Sequence, residues 1–192
     1  MKIQTLTATV VVVLSSFSAM AGETYKFDQA RSRLEFNVHQ FLGTSHGKFA
    51  KFDGQIDIDR EHPEKSSVVA KIQVGSINTG IEKRDEHLRS AELFDVEKFP
   101  EITFKSRSVK QTGPESGDIL GDFTMHGVTK PTTLHVKLLS AAAERKETRW
   151  SVTTEPLKRR DFNLMFSSSA EAVSGISQTV PVVIEIEALR TE

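Results

Sequence analysis

Eight segments of this 192-residue chain alternate apolar and polar side chains with a period of two. Leu34, Phe36 and Val38 stand between Glu35, Asn37 and His39. Phe52, Gly54, Ile56 and Ile58 alternate with acidic or amide residues. The pattern returns at Val68–Val74, Ile102–Ser106, Ile119–Met125, Leu134–Leu138, Trp150–Thr154 and Val182–Ile186. Successive side chains of a strand point to opposite faces, so each segment reads as a strand covered on one side only. The separators "DREHPEKSS", "QTGPESGD", "HGVTKP" and "AAAERKE" carry turn chemistry. Eight such strands either close into a barrel, filled by side chains or holding one small ligand, or stack as a two-sheet sandwich. Closure also removes exposed edges. Periodicity alone leaves both architectures open.

Two stretches depart from the rhythm. One is the opening segment. The other, residues 159–179, starts with Phe162, Leu164 and Phe166 at strand spacing and then becomes small and polar, as a surface loop does.

The first residues, "MKIQTLTATVVVVLSSFSAMA", combine a positive start, a short apolar run and a small-x-small end. That is the pattern of a cleavable signal peptide over residues 1–21, leaving one domain over residues 22–192. The chain has no Cys, so its stability rests on a packed core rather than on disulfides, and a thiol nucleophile is excluded. With 25 basic and 26 acidic residues it lacks the basic footprint of a nucleic-acid partner.

The stretch "RDEHLRSAELFDVEKFP", residues 84–100, packs Arg84, Asp85 and His87 together. Thr79 followed by Glu82 fits a capping box, Asp85 and Arg89 are spaced as an ion pair, and Ile81 and Leu88 share a face. Asp85 and His87 are two residues apart and point to different faces of a helix, a poor orienting couple. The remaining histidines, His39, His46, His62, His126 and His135, form no ligand pair, and His126 and His135 are expected to face solvent. A structural cover is therefore favoured over catalysis or a metal. The chain holds 12 Phe but one Tyr and one Trp. Such an interior is either an ordinary core or suited to a wholly apolar guest, since Phe needs no hydrogen-bond partner.

Three motifs occur in order: Arg-Asp-x-His-Leu from Arg84, Phe-Pro-x-Ile-x-Phe from Phe99, and Gly-Val-Thr-Lys-Pro from Gly127. With "YKFDQARSRLEFNVHQF" and "RRDFN", they make nearly the whole chain after residue 21 resemble the YceI family of bacterial polyisoprenoid-binding proteins. The resemblance implies an all-β fold, an eight-stranded antiparallel lipocalin-like barrel with a short helical insertion covering one end. It implies a tunnel for an isoprenoid or quinone tail, or a fatty-acid-like chain, carried through the periplasm without bond chemistry and without a required cofactor or metal. On that basis Phe36, Val38, Phe49, Phe52, Phe94, Phe104, Phe123, Met125, Phe162 and Phe166 would line the tunnel. Arg84, Asp85 and His87 would hold the lid or meet a polar head group. Expected partners are an apolar chain lipid and, transiently, the inner membrane or a membrane protein; a homodimer is a further expectation.

Two departures from the family pattern, Arg31 before Ser32 and Asn163 after Phe162, are expected to alter the barrel mouth. Two other readings stay open. One is a small-barrel enzyme acting on an apolar substrate with Asp85 and His87 in its site. The other is a non-binding stress-response module whose Phe residues are simply core.

Overall fold

The computed structural model describes residues 22–167 and 173–191. The expected signal peptide, residues 1–21, and residues 168–172 of the Ser-rich stretch lie outside the described residues. The strands are β1 (Glu23–Phe27), β2 (Arg33–Gln40), β3 (Gly43–Phe49), β4 (Phe52–Ile58), β5 (Ser67–Gln73), β6 (Ile77–Asn78) and β7 (Glu101–Gly113). They continue as β8 (Ser116–Met125), β9 (Val128–Ala142), β10 (Glu147–Thr153), β11 (Leu157–Lys158), β12 (Thr179–Val180) and β13 (Val182–Arg190). The α-helix α1 (Glu82–Arg89) lies between β6 and β7.

The order β1-β4-β5-β7-β8-β9-β10-β13, with β13 returning to β1, is a closed ring of eight antiparallel strands. This settles the choice between barrel and sandwich. The eight alternating segments fall on β2, β4, β5, β7, β8, β9, β10 and β13. The opening segment, set aside as irregular, supplies β1, whose Tyr25 points inward and is buried.

Closure depends on a shared edge. Val182 to Glu185 of β13 pair with β2, and Ala188 to Arg190 pair with β1. Between them, on this edge, Glu187 faces neither β1 nor β2, while on the other edge it pairs with Arg149 of β10. Ser32 fills the gap: its hydroxyl donates to the Glu187 carbonyl at 3.2 Å and accepts the Glu187 N–H at 2.9 Å. The Asp28 N–H also donates to that carbonyl, at 2.8 Å. Arg31 stands beside this gap, paired with Asp28 at 2.8 Å and Glu147 at 3.1 Å. It lies on the outer wall, so the expectation that it shapes the mouth is corrected. Asn163 is left-handed, with φ 57° and ψ 21°. Gly adopts that conformation freely and Asn is among the few other residues that do so routinely, so the exchange keeps the turn.

At the upper end, where the β2–β3 turn lies, the wall splits. Two-residue β6 follows β3, while β7 stays with β5. Residues 79–100 cross this gap. Asp85, 3% exposed, accepts the Thr79 N–H at 2.9 Å and the Thr79 hydroxyl. The expected capping box is therefore absent: Thr79 is committed to Asp85, and Ile81 is the N-cap without a side-chain bond. Arg89 pairs with Glu82 at 2.6 Å rather than with Asp85, whose carboxylate faces inward. Ile81 is exposed because its backbone is still extended, whereas Leu88 packs on the core.

His126 is a further correction. It is left-handed in the β8–β9 turn, its ring 4.6 Å from Phe99, and Nδ1–H donates to the Phe162 carbonyl at 3.0 Å. His135 does face outward, against Asp118 at 2.7 Å.

Two kinds of contact are separable by substitution. Ser32→Ala and Asp85→Ala each leave a partly buried N–H without its acceptor, so each should lower unfolding free energy by about 1–3 kcal/mol. Arg89→Ala breaks a pair with an exposed Glu82 and should stay within about 1 kcal/mol. Urea unfolding measures all three; equal losses would contradict the assignment.

Candidate ligand-binding lumen

The period-two pattern sends one face of every long strand into the barrel, and these side chains leave it unfilled. The lumen has two chambers. The upper, about 430 Å³, lies beneath α1; the lower, about 360 Å³, opens between the β4–β5 connection and the β7–β8 hairpin. Leu34, Ile72, Phe123, Leu134 and Ile184 line both. They come from β2, β5, β8, β9 and β13, one residue from each, and so form a ring at one level of the barrel. A bulge in β7 between Ser106 and Ser108 shifts the inward phase. Ile102 and Phe104 point in above it and Val109 and Gln111 below.

Phe36, Val38, Phe49, Phe94, Met125 and Phe166 line the upper chamber, Phe52 and Phe104 the lower, and Phe123 both. Phe162 lines neither. It closes a 3-10 turn, Arg159–Phe162, rather than a strand, and is 2% exposed with its ring edge-on to Phe123 at 5.5 Å. The upper wall owes its space to a glycine. The Phe36 ring lies where a Cβ on Gly47 would stand, with Cζ only 2.2 Å from that position. Any larger residue at 47 drives Phe36 into the chamber.

The upper chamber has a polar corner. Arg84 donates from Nε to the Thr79 hydroxyl at 2.8 Å, from Nη2 to the Thr79 carbonyl at 2.9 Å and from Nη1 to the Ser45 hydroxyl at 3.0 Å. Gln40 donates to the same Ser45 oxygen at 2.6 Å. His87 is half exposed at the rim, within hydrogen-bond reach of Glu92 at 3.0 Å and with its ring 6.2 Å from Phe166. Asp85 lines neither chamber and faces Thr79 instead. The structure thus separates the three neighbours: Arg84 and His87 reach the lumen and Asp85 anchors the cover.

Arg159 was missed by sequence reasoning. It is 7% exposed, donates to the carbonyls of Ser177 and Leu164 at 2.8 Å each, and stands 5.3 Å from the Phe166 ring centroid. It thereby ties Leu164 to Ser177 at the upper mouth. The only signal for it was its place in "RRDF".

The YceI-like domain model matches residues 25–188. A relative named Protein YceI, from Salmonella arizonae, is 36% identical over 185 residues, 93% of each chain. Among solved structures, Burkholderia cenocepacia BcnA has a TM-score of 0.75 at 20% identity, over 84% of this chain and 98% of that one. The Campylobacter jejuni YCEI protein has a TM-score of 0.67 at 25% identity, covering 80% of this chain and 89% of its own. A polyisoprenoid binding domain from Saccharophagus degradans has a TM-score of 0.62 at 23% identity, covering 87% and 98%. The matched residues take in both chambers, the covering helix and all three ordered motifs, and the chain belongs to the YceI family.

Proposed function

We propose that the protein is a periplasmic carrier that sequesters a long apolar chain lipid, a polyprenyl lipid or the tail of a quinone, inside the barrel. The observation that carries this reading is the unfilled lumen. Eight-stranded barrels are narrow enough for side chains to fill them. An apolar cavity of about 150 Å³ already stays dry and takes apolar guests. Each chamber here is at least twice that size and walled mainly by Phe, Leu, Ile and Val. Burying a chain contributes about 0.8 kcal/mol per CH2, so a long tail outweighs the cost of ordering it. The description of the Saccharophagus degradans neighbour as polyisoprenoid binding supports the ligand class.

Arg84 supports a place for the head group. Three of its five N–H groups are used on Thr79 and Ser45, and the other two have no acceptor among the described residues. Transient membrane contact is supported by Phe41, Leu42, Met165 and Val173, large apolar side chains exposed around the upper mouth. Binding without bond chemistry fits the structural use of Asp85, which leaves His87 without an orienting carboxylate from that pair. Carriage through the periplasm rests on the signal-like first 21 residues.

Native mass spectrometry of protein purified without detergent tests the proposal. The expected spectrum shows an added mass that organic extraction removes and polyprenyl lipid restores; the same spectrum reads the expected homodimer directly. An empty protein that also refuses added prenyl lipid overturns the reading. Leu134→Trp, which narrows the ring between the chambers, should reduce the retained lipid while leaving the circular dichroism of the barrel unchanged.

A further inference from the structure

The turn between β2 and β3 has an unusual composition. Gln40 pairs with Gly43, so the loop is Phe41 and Leu42 alone. Two-residue hairpin loops favour Asn, Asp and Gly, whose backbones turn most readily. Large apolar residues there need another reason, and packing does not supply one for Leu42, which is wholly exposed. Phe41 is 75% exposed and lies over Gly175, its ring atoms 2.6 Å from where a Cβ on that glycine would stand. The Phe41 N–H donates to the Ser174 carbonyl at 3.0 Å, and the Ser177 N–H donates to the His39 carbonyl at 2.8 Å. The turn and residues 173–177 therefore form one piece, to which Val173, 82% exposed, and the half-exposed Met165 add apolar surface. This surface is continuous with the lumen. Val38 and Gln40 on β2, Phe166 beside Met165, and Ile176 three residues after Val173 all line the upper chamber. Residues 36–47, 162–167 and 173–180 contain no Asp or Glu, and their ionisable side chains are His39 and His46. The covering helix, by contrast, presents Glu82 and Glu86 to solvent.

We propose that this tip is a docking face for a phospholipid bilayer, with Phe41 and Leu42 entering the head-group layer, and that lipid passes between membrane and upper chamber while the mouth is seated there. The inference rests on the reading that the lumen takes a chain lipid, and gives the membrane contact of that reading a location and a task. Contiguous exposed apolar side chains mark protein or membrane surfaces. A stable protein interface takes roughly 20–30 residues from each partner, far more than the four side chains grouped here. A bilayer needs no matched surface, and attachment to it grows with the apolar area inserted. A carboxylate in the tip would be repelled by lipid phosphates, and these segments have none. Passage through water would expose the whole tail of the lipid, whereas a seated mouth keeps it covered from bilayer to chamber.

Flotation with vesicles of mixed phosphatidylethanolamine and phosphatidylglycerol tests the face. The wild type should float with the vesicles. Leu42→Ser and Phe41→Ser should each lower the vesicle-bound to free ratio on the order of tenfold, the factor that one large apolar side chain represents. Val69→Ser, on the outer wall at 43% exposure, should float as the wild type does. Leu42 is wholly exposed in the fold, so its variant should unfold at the wild-type temperature. Transfer is read with retinol as the probe. Loaded wild type should deliver it to the vesicles at a rate that rises in proportion to vesicle concentration, the mark of collision, and Leu42→Ser should lose that dependence. Wild type that stays out of the vesicle fraction, or Leu42→Ser that floats equally well, overturns the docking face and leaves the lumen reading standing. A rate independent of vesicle concentration overturns passage at the membrane. Self-association that Leu42→Ser abolishes, without flotation, assigns the tip to a second copy and overturns the proposal. Wild type that takes up neither retinol nor polyprenyl lipid overturns the lumen reading and the transfer together, an outcome that flotation tells apart from loss of the face.

Discussion

The structure depends on the edge of β13. A single strand there accepts two others in succession, and the gap between them would leave the Glu187 backbone without a partner on that edge. One hydroxyl, that of Ser32, supplies both the donor and the acceptor that the missing strand would have given. Because this seam holds, β1 and β2 follow different directions around the same wall. At the lower end the ring of strands is continuous through β1, while the upper end flares where β2 and β3 carry the wall on to β6. The flare is what leaves room for a chamber beneath α1.

The cost of the flare is a split between β6 and β7. Open backbone and open apolar surface at that split would be unfavourable, and residues 79–100 resolve both problems. Leu88, Phe94 and Val96 cover the apolar surface, and the Asp85–Thr79 bonds fix the cover to the end of β6. A short, highly charged helix is stable there because its anchor is a buried carboxylate rather than a broad apolar face. The same cover carries Arg84 to the chamber, so positioning of a polar group and closure of the wall are one structural act.

The barrel strands were legible wherever both faces of a strand obeyed the alternation. β3 was not, although it is seven residues long. Its inward position 47 is glycine, because the Phe36 ring occupies that space, and a missing side chain leaves no apolar mark in a sequence. β1 was too short to show its period. Phe162 looked like strand and proved to be turn, since three apolar residues at alternate positions cannot report the left-handed Asn163 among them. The Phe content pointed to an apolar interior correctly in kind. Asp85 and His87 were rightly separated by helical spacing. The inward turn of Asp85 toward Thr79, however, arises from the end of β6, which the pattern did not reveal.

The Ser32–Glu187 seam joins residues 155 positions apart and involves the last strand of the chain. Until β13 is available, β10, β1 and β2 all keep an unpaired edge, and the lumen is the exposed face of a curled sheet. Contacts so distant in sequence form slowly. The newly made chain therefore passes through a stage with a long apolar face and three free edges, the condition in which strands recruit one another between molecules. The absence of any α-helix longer than eight residues among the described elements gives that stage little local structure to fall back on. The final nine-residue strand acts as a clasp, and its arrival converts an association-prone sheet into a container.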